Sequence, residues 1–320
     1  MLNTMKKVTL GKTGLEIAPI NLGGNVFGWT LNESESFAIL DAFADAGFNF
    51  IDTADTYSWW VDGNQGGESE AIIGNWLARR GSRDQFVIAT KVGSQNREHP
   101  IDISKNYILK TVEESLKRLR TDYIDLYYTH FDDEKIPVEE TLSAYEQLLK
   151  EGKIRHIGAS NLSPARLKAS LEASSTSSLP AYEVLQPHYN LIHRATFEQE
   201  YAPLAGQYGL AVLPYFALAA GFLTGKYRSE ADLDKSQRGG GMKDLLTPQN
   251  LKILAALDKV AGKHDTVPAT IALAWLLHKP HIAAPIASAT SQKQLETLFK
   301  ATEIQLDLND LSLLDEVSAA

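Results

Sequence analysis

Four ionisable residues lie at the ends of three apolar, β-rich runs of the sequence. Asp52 and Tyr57 close the first run, Lys91 ends the second, and His130 ends the third. An apolar strand that ends in aspartate, beside one that ends in lysine, suggests a buried ion pair. A positive charge next to Tyr57 would favour its phenolate and lower its pKa from the reference value of about 10. Tyr57 is therefore a candidate general acid near neutral pH, with His130 orienting a carbonyl oxygen or sharing the proton.

Polar side chains also lie at the ends of the other apolar runs. They are Ser160, Asn161, Gln186, Tyr215, Ser288 and Thr290. In a barrel of parallel strands, the active site lies where the strands end and the following loops begin. We therefore expect these side chains to converge with the four ionisable residues on one rim.

The elements that would position these residues alternate along the chain. Eight apolar runs span residues 17–24, 48–54, 85–92, 123–131, 154–161, 181–190, 210–217 and 282–289. The stretches between them have apolar residues at helical spacing, such as Leu109, Val112, Leu116 and Leu119. Alternating strands and helices pair in parallel through right-handed crossovers. Eight such units fit a closed (β/α)8 TIM barrel better than an open sheet.

A short hairpin is predicted ahead of the barrel. Residues 8–10 and 15–17 flank the turn sequence Gly11-Lys12-Thr13-Gly14, and we expect this hairpin to close the barrel floor. Nothing in the rest of the sequence has the composition of a linker, so we expect residues 1–320 to form a single domain.

The composition excludes several classes of function. The 320 residues carry 31 basic and 40 acidic side chains, for a net charge of −9. Such a chain lacks the electrostatic footprint of a nucleic-acid or membrane-surface protein. Cysteine is absent, which excludes disulfides, thiolate nucleophiles and cysteine-based metal sites. His278 and His281 have no third ligand nearby, so we expect no metal. The sequence has no signal-peptide pattern and no membrane-spanning run, and we expect a cytoplasmic protein.

Three long polar loops interrupt the alternation, and long loops in compact domains are usually functional or mobile. Residues 58–67 include Trp59 and Trp60, residues 93–101 are polar, and residues 226–248 are charged and contain three consecutive glycines. The two tryptophans either pack on the barrel rim or line a substrate pocket. We assign them, with Phe131, to the substrate pocket, and residues 226–248 to a flexible lid.

Several motifs, in this order, resemble the signature of the aldo-keto reductase superfamily. They are FIDTADTY at 50–57, GESE at 67–70, IATK at 88–91, RLRTDYIDL at 118–126, KIRHIGASN at 153–161 and GFLTGK at 221–226. The resemblance covers nearly the whole chain and points to the branch of bacterial and potassium-channel β-subunit-like members. It implies a (β/α)8 barrel that binds NADPH in extended form and reduces small aldehydes or ketones.

The resemblance also implies the residues of the site. The family's catalytic tetrad corresponds to Asp52, Tyr57, Lys91 and His130. The residues implied to bind the cofactor are Ser160, Asn161 and Gln186 at the carboxamide, Tyr215 stacked on the nicotinamide ring, Leu218, Gly221 and Lys226 at the pyrophosphate, and Ser288, Thr290, Lys293 and Gln294 at the adenosine 2′-phosphate.

The chain departs from the family pattern near the cofactor. Tyr215-Phe216-Ala217-Leu218 replaces the usual Tyr-Ser-Pro-Leu, and Gln294 stands where many members have arginine. A neutral amide cannot make the bidentate charged contact of an arginine with a phosphate. We therefore expect NADP(H) to be preferred by a modest factor, with use of NAD(H) also open.

Two other functions stay open at this point. The chain could be a nicotinamide-binding regulatory subunit with little turnover, as the resemblance to potassium-channel β-subunits allows. It could also be an aldolase that forms a Schiff base through Lys91. The sequence identifies neither the physiological carbonyl substrate nor any oligomeric partner.

Overall fold

Eight parallel strands form one sheet in the computed structural model, which describes residues 6–319. Two further strands, β1 (Val8–Thr9) and β2 (Glu16–Ile17), form a separate pair ahead of this sheet. The eight strands of the sheet are, in chain order, β3 (Asn21–Gly23), β4 (Phe50–Asp52), β5 (Val87–Val92), β6 (Ile124–Thr129), β7 (Ile154–Ser160), β8 (Val184–Gln186), β9 (Ala211–Val212) and β10 (Ile286–Ala287). The sheet has the neighbour order β10-β3-β4-β5-β6-β7-β8-β9, and every pair in it is parallel.

Hydrogen bonds join the two ends of this sheet. The Val212 N–H donates to the His281 carbonyl at 2.9 Å, and the Ala283 N–H donates to the Val212 carbonyl at 2.9 Å. A third bond runs from the Ile286 N–H to the Pro214 carbonyl at 2.9 Å. The segment that leads into β10 therefore pairs with β9, and the barrel closes. The predicted (β/α)8 barrel is confirmed.

Helices surround the barrel and return the chain between strands. They are α1 (Glu33–Asp45), α2 (Glu68–Arg80), α3 (Lys105–Leu119), α4 (Val138–Lys150), α5 (Pro164–Ser177), α6 (Ala202–Tyr208), α7 (Pro248–Lys263), α8 (Pro268–Leu277), α9 (Gln292–Ala301) and α10 (Leu308–Val317). Side-chain caps begin several of them: Ser163 accepts a hydrogen bond from the Arg166 N–H at 3.2 Å, ahead of Pro164 at the first turn of α5. In the described part of the chain, no helix is long and apolar enough to cross a membrane.

The predicted hairpin is also present, at the floor of the barrel. Strands β1 and β2 pair antiparallel, with Val8 opposite Ile17. Leu10 and Ile17 are fully buried in the same apolar cluster as Phe50 and Val87, which lie at the amino ends of β4 and β5. The hairpin therefore covers the end of the barrel opposite to the carboxyl ends of the strands.

Alternation along the strands decides which side chains enter the barrel. Ile51 and Ile88 belong to the cluster that packs under the helices, whereas Phe50 and Ala89 belong to the cluster inside the barrel. Successive side chains of a strand point to opposite faces. Asp52 therefore shares the inner face with Phe50, and Lys91 shares it with Ala89. Both polar residues lie at the carboxyl ends of their strands.

Candidate active site

Lys91 is the centre of the hydrogen-bond network at the carboxyl end of the barrel. Its Nζ donates to Asp52 Oδ2 at 2.5 Å, to the Thr53 carbonyl at 2.7 Å and to Tyr57 Oη at 2.9 Å. An ammonium group has three N–H bonds, so these contacts use all its donors. The side chains of Lys91 and Asp52 are 0% and 1% exposed. The buried ion pair expected from the sequence is present.

The ion pair keeps Lys91 protonated. Burial alone lowers the pKa of Lys91, but the Asp52 carboxylate and the Tyr57 oxygen outweigh it and hold the pKa above its ordinary value. Burial raises the pKa of Asp52, and the Lys91 charge opposes that rise. An ammonium group with no free donor and a raised pKa is a fixed positive charge rather than a nucleophile.

The predicted direction of the Tyr57 pKa shift is wrong. Burial raises the pKa of Tyr57, and although the Lys91 charge lowers it, the net shift is upward because the Asp52 charge offsets part of the lysine effect. The lysine is half of an ion pair, and the negative charge of Asp52 weakens the effect of the lysine charge on the tyrosine. Tyr57 is therefore a protonated phenol at neutral pH, the form that a proton donor needs.

His130 lies beside Tyr57 in its neutral form. The ring centroids of the two residues are 6.0 Å apart in an edge-on arrangement. Burial and the Lys91 charge hold the pKa of His130 well below its ordinary value. Its Nδ1 atom is buried and has no hydrogen-bond partner among the described residues. A neutral imidazole in this position can offer a hydrogen bond to an oxygen atom next to the Tyr57 hydroxyl.

Gln186 joins this network from β8. Its Nε2 donates to Asp52 Oδ1 at 2.9 Å, so both carboxylate oxygens of Asp52 accept a hydrogen bond. Its backbone carbonyl accepts from Ser160 Oγ at 3.0 Å. Gln186 is predicted to contact the cofactor carboxamide; in the structure its amide N–H group donates to Asp52, and no donor to Oε1 is present among residues 6–319.

Asn161 and Tyr215 link His130 to the far side of the rim. Asn161 Nδ2 donates to the His130 carbonyl at 2.8 Å and to Ser160 Oγ at 3.1 Å. Tyr215 Oη donates to Asn161 Oδ1 at 2.7 Å. Asn161 has a left-handed backbone with φ of 52°, which is uncommon for a residue other than glycine. The structure thus brings the residues implied for the carboxamide and the nicotinamide ring together with the tetrad.

The loop after β9 is strained. Phe216, Ala219 and Ala220 have φ values of 52°, 48° and 53°, and Gly221 follows with φ of 101°. Left-handed backbone conformations at residues other than glycine cost of order 1–3 kcal/mol each, and such residues cluster at functional sites. The Leu218 carbonyl accepts from the Gly221 N–H at 2.9 Å, which closes the turn. Lys226 Nζ lies 3.5 Å from the position of a Cβ at Gly221, so it contacts the same turn.

The segment after β10 is organised as the cap of α9. The Thr290 N–H and hydroxyl donate to Gln294 Oε1 at 2.8 Å and 3.2 Å. Ser291 caps the helix by accepting from the Gln294 N–H at 3.3 Å. Ser288 donates to Asn25 Oδ1. Lys293 is exposed and pairs with no carboxylate among residues 6–319. The helix N-terminus and Lys293 are close in sequence, but the Gln294 amide oxygen is already engaged.

Aromatic side chains surround Tyr57 and His130 at the rim. Trp60 meets Tyr57 edge-on at 6.2 Å between centroids, and Phe131 packs on His130 at 4.9 Å. Trp60 is 39% and Phe131 36% exposed. Trp59 lies on the same turn and is half-buried, but its ring does not pack against the Tyr57 ring. Two of the three residues predicted to line the substrate pocket therefore contact the tetrad.

Two further aromatic residues at the rim were missed by the sequence reasoning. Trp29 meets Trp60 edge-on at 5.7 Å, and Phe216 is 48% exposed and meets Tyr215 at 5.3 Å. No spacing pattern connects Trp29 to residues 57–60. The replacement of the family's serine by Phe216 was visible in the sequence, but the reasoning treated it as a change in cofactor contacts alone.

Arg238, in the loop predicted to be a lid, was also missed. Its guanidinium lies over the Trp29 ring at 4.9 Å, and its Nη2 atom is buried with no hydrogen-bond partner among residues 6–319. Burial lowers its pKa from the ordinary value. Within residues 6–319, Arg120 and Arg238 are the arginines without a salt bridge, and Arg120 is exposed and bonded to Asn75. A half-buried cation without a carboxylate partner is suited to an anionic ligand group.

The family model described as "Aldo/keto reductase family" matches residues 19–319. This range begins after the hairpin and covers all eight barrel strands. The match is to the family whose motifs the sequence resembles, so the resemblance is confirmed over nearly the whole chain.

Individual relatives match over similar lengths. The chain is 36% identical to "Uncharacterized oxidoreductase YrpG" of Bacillus subtilis, over 98% of this chain and 96% of that protein. It is 30% identical to "Putative aryl-alcohol dehydrogenase AAD14" of Saccharomyces cerevisiae, over 96% and 85%. It is 31% identical to "Probable voltage-gated potassium channel subunit beta" of Oryza sativa, over 98% and 96%. The similar proteins thus include some named for oxidoreduction and some named for a channel.

Proposed function

The chain belongs to the aldo/keto reductase family of oxidoreductases, and we propose that it reduces an aldehyde or ketone to an alcohol with NADPH as the reductant. One observation carries this proposal: Lys91 Nζ donates a hydrogen bond to Tyr57 Oη at 2.9 Å. An ammonium group cannot accept a hydrogen bond, so the phenolic proton of Tyr57 points away from the lysine. It is free to be donated to an oxygen atom of a ligand.

Tyr57 acts as the general acid. Its raised pKa keeps it protonated, and it transfers its proton to the carbonyl oxygen as negative charge develops there. The Lys91 charge then stabilises the phenolate that is left behind, since the two groups are already hydrogen-bonded. Asp52 holds Lys91 in place, and Gln186 holds Asp52 through its other oxygen.

His130 orients the carbonyl group. Its ring is neutral and lies edge-on to Tyr57, so it can donate a hydrogen bond to the substrate oxygen without competing as an acid. The Asn161 amide holds the backbone carbonyl of His130, which restrains the residue at the rim. Tyr57 and His130 together define the place of the substrate oxygen.

The residues present fit a nicotinamide dinucleotide. Tyr215 is half-buried, and Gln186 Oε1 and Asn161 Oδ1 are amide acceptors for a carboxamide N–H. Lys226 at the strained turn, Arg238 in the lid and Lys293 on α9 supply positive charge for phosphate groups. When bound, NADPH supplies the hydride for the reaction. The proposed preference for NADPH over NADH is modest, because Gln294 replaces a cation.

The exposed aromatic side chains favour apolar or aromatic carbonyl substrates. Trp60, Phe131 and Phe216 leave more than a third of their surfaces exposed, and they pack on Tyr57, His130 and Tyr215, respectively. Exposed aromatic groups that cluster at one rim usually mark a binding surface. Such groups can stack on a flat substrate and exclude water from the reacting atoms.

A second candidate function is that of a nicotinamide-binding channel subunit with little turnover. The potassium-channel β-subunit relative of rice supports it at 31% identity over nearly the whole chain. The hydrogen-bonded Lys91–Tyr57 pair favours turnover instead. The fixed positive charge of Lys91 disfavours the Schiff-base alternative, since an amine must lose its proton to attack a carbonyl.

A titration and a turnover assay together test the proposal. Intrinsic tryptophan fluorescence is titrated with NADPH and with NADH, and NADPH consumption is then followed with a panel of aromatic and aliphatic aldehydes. We expect saturable binding, tighter for NADPH, and multiple turnovers. Binding without turnover across the panel would favour the regulatory alternative. Absence of binding would contradict the proposal, and borohydride trapping of an aldehyde on Lys91 would replace it with the aldolase.

A further inference from the structure

Three aromatic rings are stacked behind the rim at Tyr215. The His188 ring lies parallel to the Tyr215 ring, with centroids 5.3 Å apart and 21° between planes. The His193 ring stacks on His188 at 3.9 Å and 13°. Phe216 meets both Tyr215 and His188 edge-on. His188 therefore covers one face of Tyr215, and no second ring among residues 6–319 stacks on Tyr215.

The hydrogen bonds of Tyr215 restrain the plane of its ring only weakly. The Tyr215 N–H donates to the Pro187 carbonyl at 3.0 Å, which fixes the backbone, and Oη donates to Asn161 Oδ1 at 2.7 Å, which fixes the tip. However, the Cγ–Oη line is itself the axis about which the ring rotates. A hydrogen bond at the tip restrains this rotation only through the preference of the phenolic O–H for the ring plane. Packing against a ring face restrains it directly, because the torsion about Cβ–Cγ is otherwise broad.

We propose that His188 is a positioning residue that sets the plane of Tyr215 and, through it, the plane of the bound nicotinamide ring. This inference rests on the proposed function, in which the nicotinamide stacks on Tyr215. Two stacked rings adopt nearly parallel planes, so the orientation of His188 passes through Tyr215 to the cofactor. The direction in which the nicotinamide presents its reacting carbon to the substrate oxygen site then depends on His188.

The protonation state of His188 suits this role. Burial, followed by the neighbouring His193, lowers the pKa of His188 to about 4. At neutral pH the ring is therefore uncharged and can stack as a flat aromatic surface. A neutral ring also adds no positive charge near an oxidised nicotinamide, which carries a positive charge itself.

The same residues connect to the proton-donating side of the site. Asn161, which holds the tip of Tyr215, also holds the backbone carbonyl of His130. Rotation of the Tyr215 ring about its own axis leaves Oη and its Asn161 hydrogen bond in place, so His188 acts on the plane of the cofactor ring, and a misaligned reacting carbon is what lowers turnover. We expect loss of the His188 ring to lower kcat as well as cofactor affinity.

The experiment measures NADPH affinity by fluorescence titration, together with kcat, in four single variants. His188→Ala removes the ring, His188→Leu fills the volume without a flat face, and His188→Phe keeps a flat ring. Tyr215→Leu removes the ring that would contact the nicotinamide. We expect His188→Ala and His188→Leu each to weaken NADPH binding between about twofold and tenfold, which is the range of an aromatic pair, and His188→Phe to restore it to within about twofold of the wild type.

A matched control and a double variant separate positioning from general loss of structure. His99 is an exposed histidine whose ring meets Tyr107, and not Tyr215, edge-on at 6.2 Å, and His99→Ala should leave NADPH affinity and kcat unchanged. In the Tyr215→Leu background, adding His188→Ala should weaken binding no further, because the ring that it orients is absent. Melting temperatures of all variants show that each is folded.

The failures are distinguishable. If Tyr215→Leu weakens NADPH binding while both His188→Ala and His188→Leu bind as the wild type does, the role of His188 is wrong and the proposed function stands. The same conclusion follows if His188→Phe is folded but does not restore affinity. If Tyr215→Leu itself leaves NADPH affinity unchanged, the stacking arrangement fails, and the inference about His188 fails with it.

Discussion

Tyr57 Oη accepts its hydrogen bond from Lys91 Nζ, and the direction of this bond decides what the phenolic proton can do. All three N–H bonds of Lys91 are used, on Asp52, Thr53 and Tyr57. Lys91 has no lone pair that could accept the tyrosine proton, so this proton points away from the lysine. A proton that points to the open side of the barrel is available to a ligand. The following predictions test this arrangement and its supports.

Replacing Lys91 should remove both the charge and the fixed geometry. Lys91→Met leaves a buried Asp52 without its partner, and breaking a buried ion pair costs about 3–5 kcal/mol. We expect turnover to fall at least about a hundredfold, because no group stabilises the phenolate, together with a lower melting temperature. Asp52→Asn should reduce turnover less, since the lysine keeps its charge.

Lys110→Met is the control for this variant, because Lys110 pairs with Glu114 on the exposed face of α3. It should match the wild type in both activity and melting temperature. If Lys91→Met kept its turnover and its pH profile, the ion pair would be structural only.

The pH dependence of reduction follows from the shifts of Tyr57 and His130. The pKa of Tyr57 is raised, so its proton is lost only above the reference value of about 10. The pKa of His130 is lowered, so it gains a proton only well below about 6.5. We expect kcat, measured at saturating substrates, to be flat between these two values. A decline centred near pH 7 to 8 would mean that the Lys91 charge dominates and the Tyr57 pKa is lowered after all.

Arg238 should contribute to binding of an anionic group of the cofactor. Its guanidinium is half-buried over Trp29 and has a buried N–H group without an acceptor in the described chain. Charge-assisted hydrogen bonds contribute about 1.5–3 kcal/mol. We therefore expect Arg238→Gln to weaken NADPH binding about tenfold or more in a fluorescence titration.

Arg120→Gln is the matched control for Arg238, because Arg120 is exposed and also lacks a salt bridge. Its NADPH affinity should equal that of the wild type. Equal affinities for Arg238→Gln and Arg120→Gln would show that the lid arginine does not reach the cofactor.

Asp55 makes a prediction about stability. Burial, followed by the Glu70 charge, raises the pKa of Asp55 well above 3.8, and its Oδ1 atom is buried without a partner in the described chain. The folded state thus binds this proton more tightly than the unfolded chain does. Its contribution to stability is complete below about 3.8 and is lost as the pH rises through the raised pKa.

Asp55→Asn keeps the shape of the carboxyl group without its ionisation. Compared with the wild type, this variant should gain in melting temperature as the pH is raised from about 5 to about 9. Asp62→Asn, at a fully exposed carboxylate, should show no such trend. If the melting temperature of Asp55→Asn instead fell further below that of the wild type as the pH rose, Asp55 would be ionised and stabilising in the folded protein.

The barrel itself could be predicted from the sequence because its determinants are local. Each strand is a short apolar run, and the helices between them repeat apolar residues at helical spacing, as Val112 and Leu119 do on the buried face of α3. The polar ends of these runs then identify the rim, since parallel strands all point the same way. That reasoning located Asp52, Lys91 and His130 correctly relative to one another.

Contacts between distant parts of the chain could not be predicted in this way. Trp29 and Arg238 meet although they are far apart in sequence, and the Gln186 amide N–H group donates to Asp52 across the barrel. The direction of the pKa shift of Tyr57 depends on how far burial outweighs the nearby Lys91 charge, and residue types alone do not give that balance. The left-handed backbone at Ala219 and Ala220 has no sequence signal, because alanine rarely adopts it.

Replacement of the Tyr57 hydroxyl tests whether Tyr57 is the general acid. Tyr57→Phe removes the proton donor and keeps the ring that contacts Trp60 and His130. The measurement is NADPH affinity by fluorescence titration, together with kcat for an aldehyde that the wild type reduces. The account predicts nearly unchanged NADPH affinity and a fall in kcat of about two to four orders of magnitude. Near-normal reduction by Tyr57→Phe would contradict it, since the proton would then come from another group.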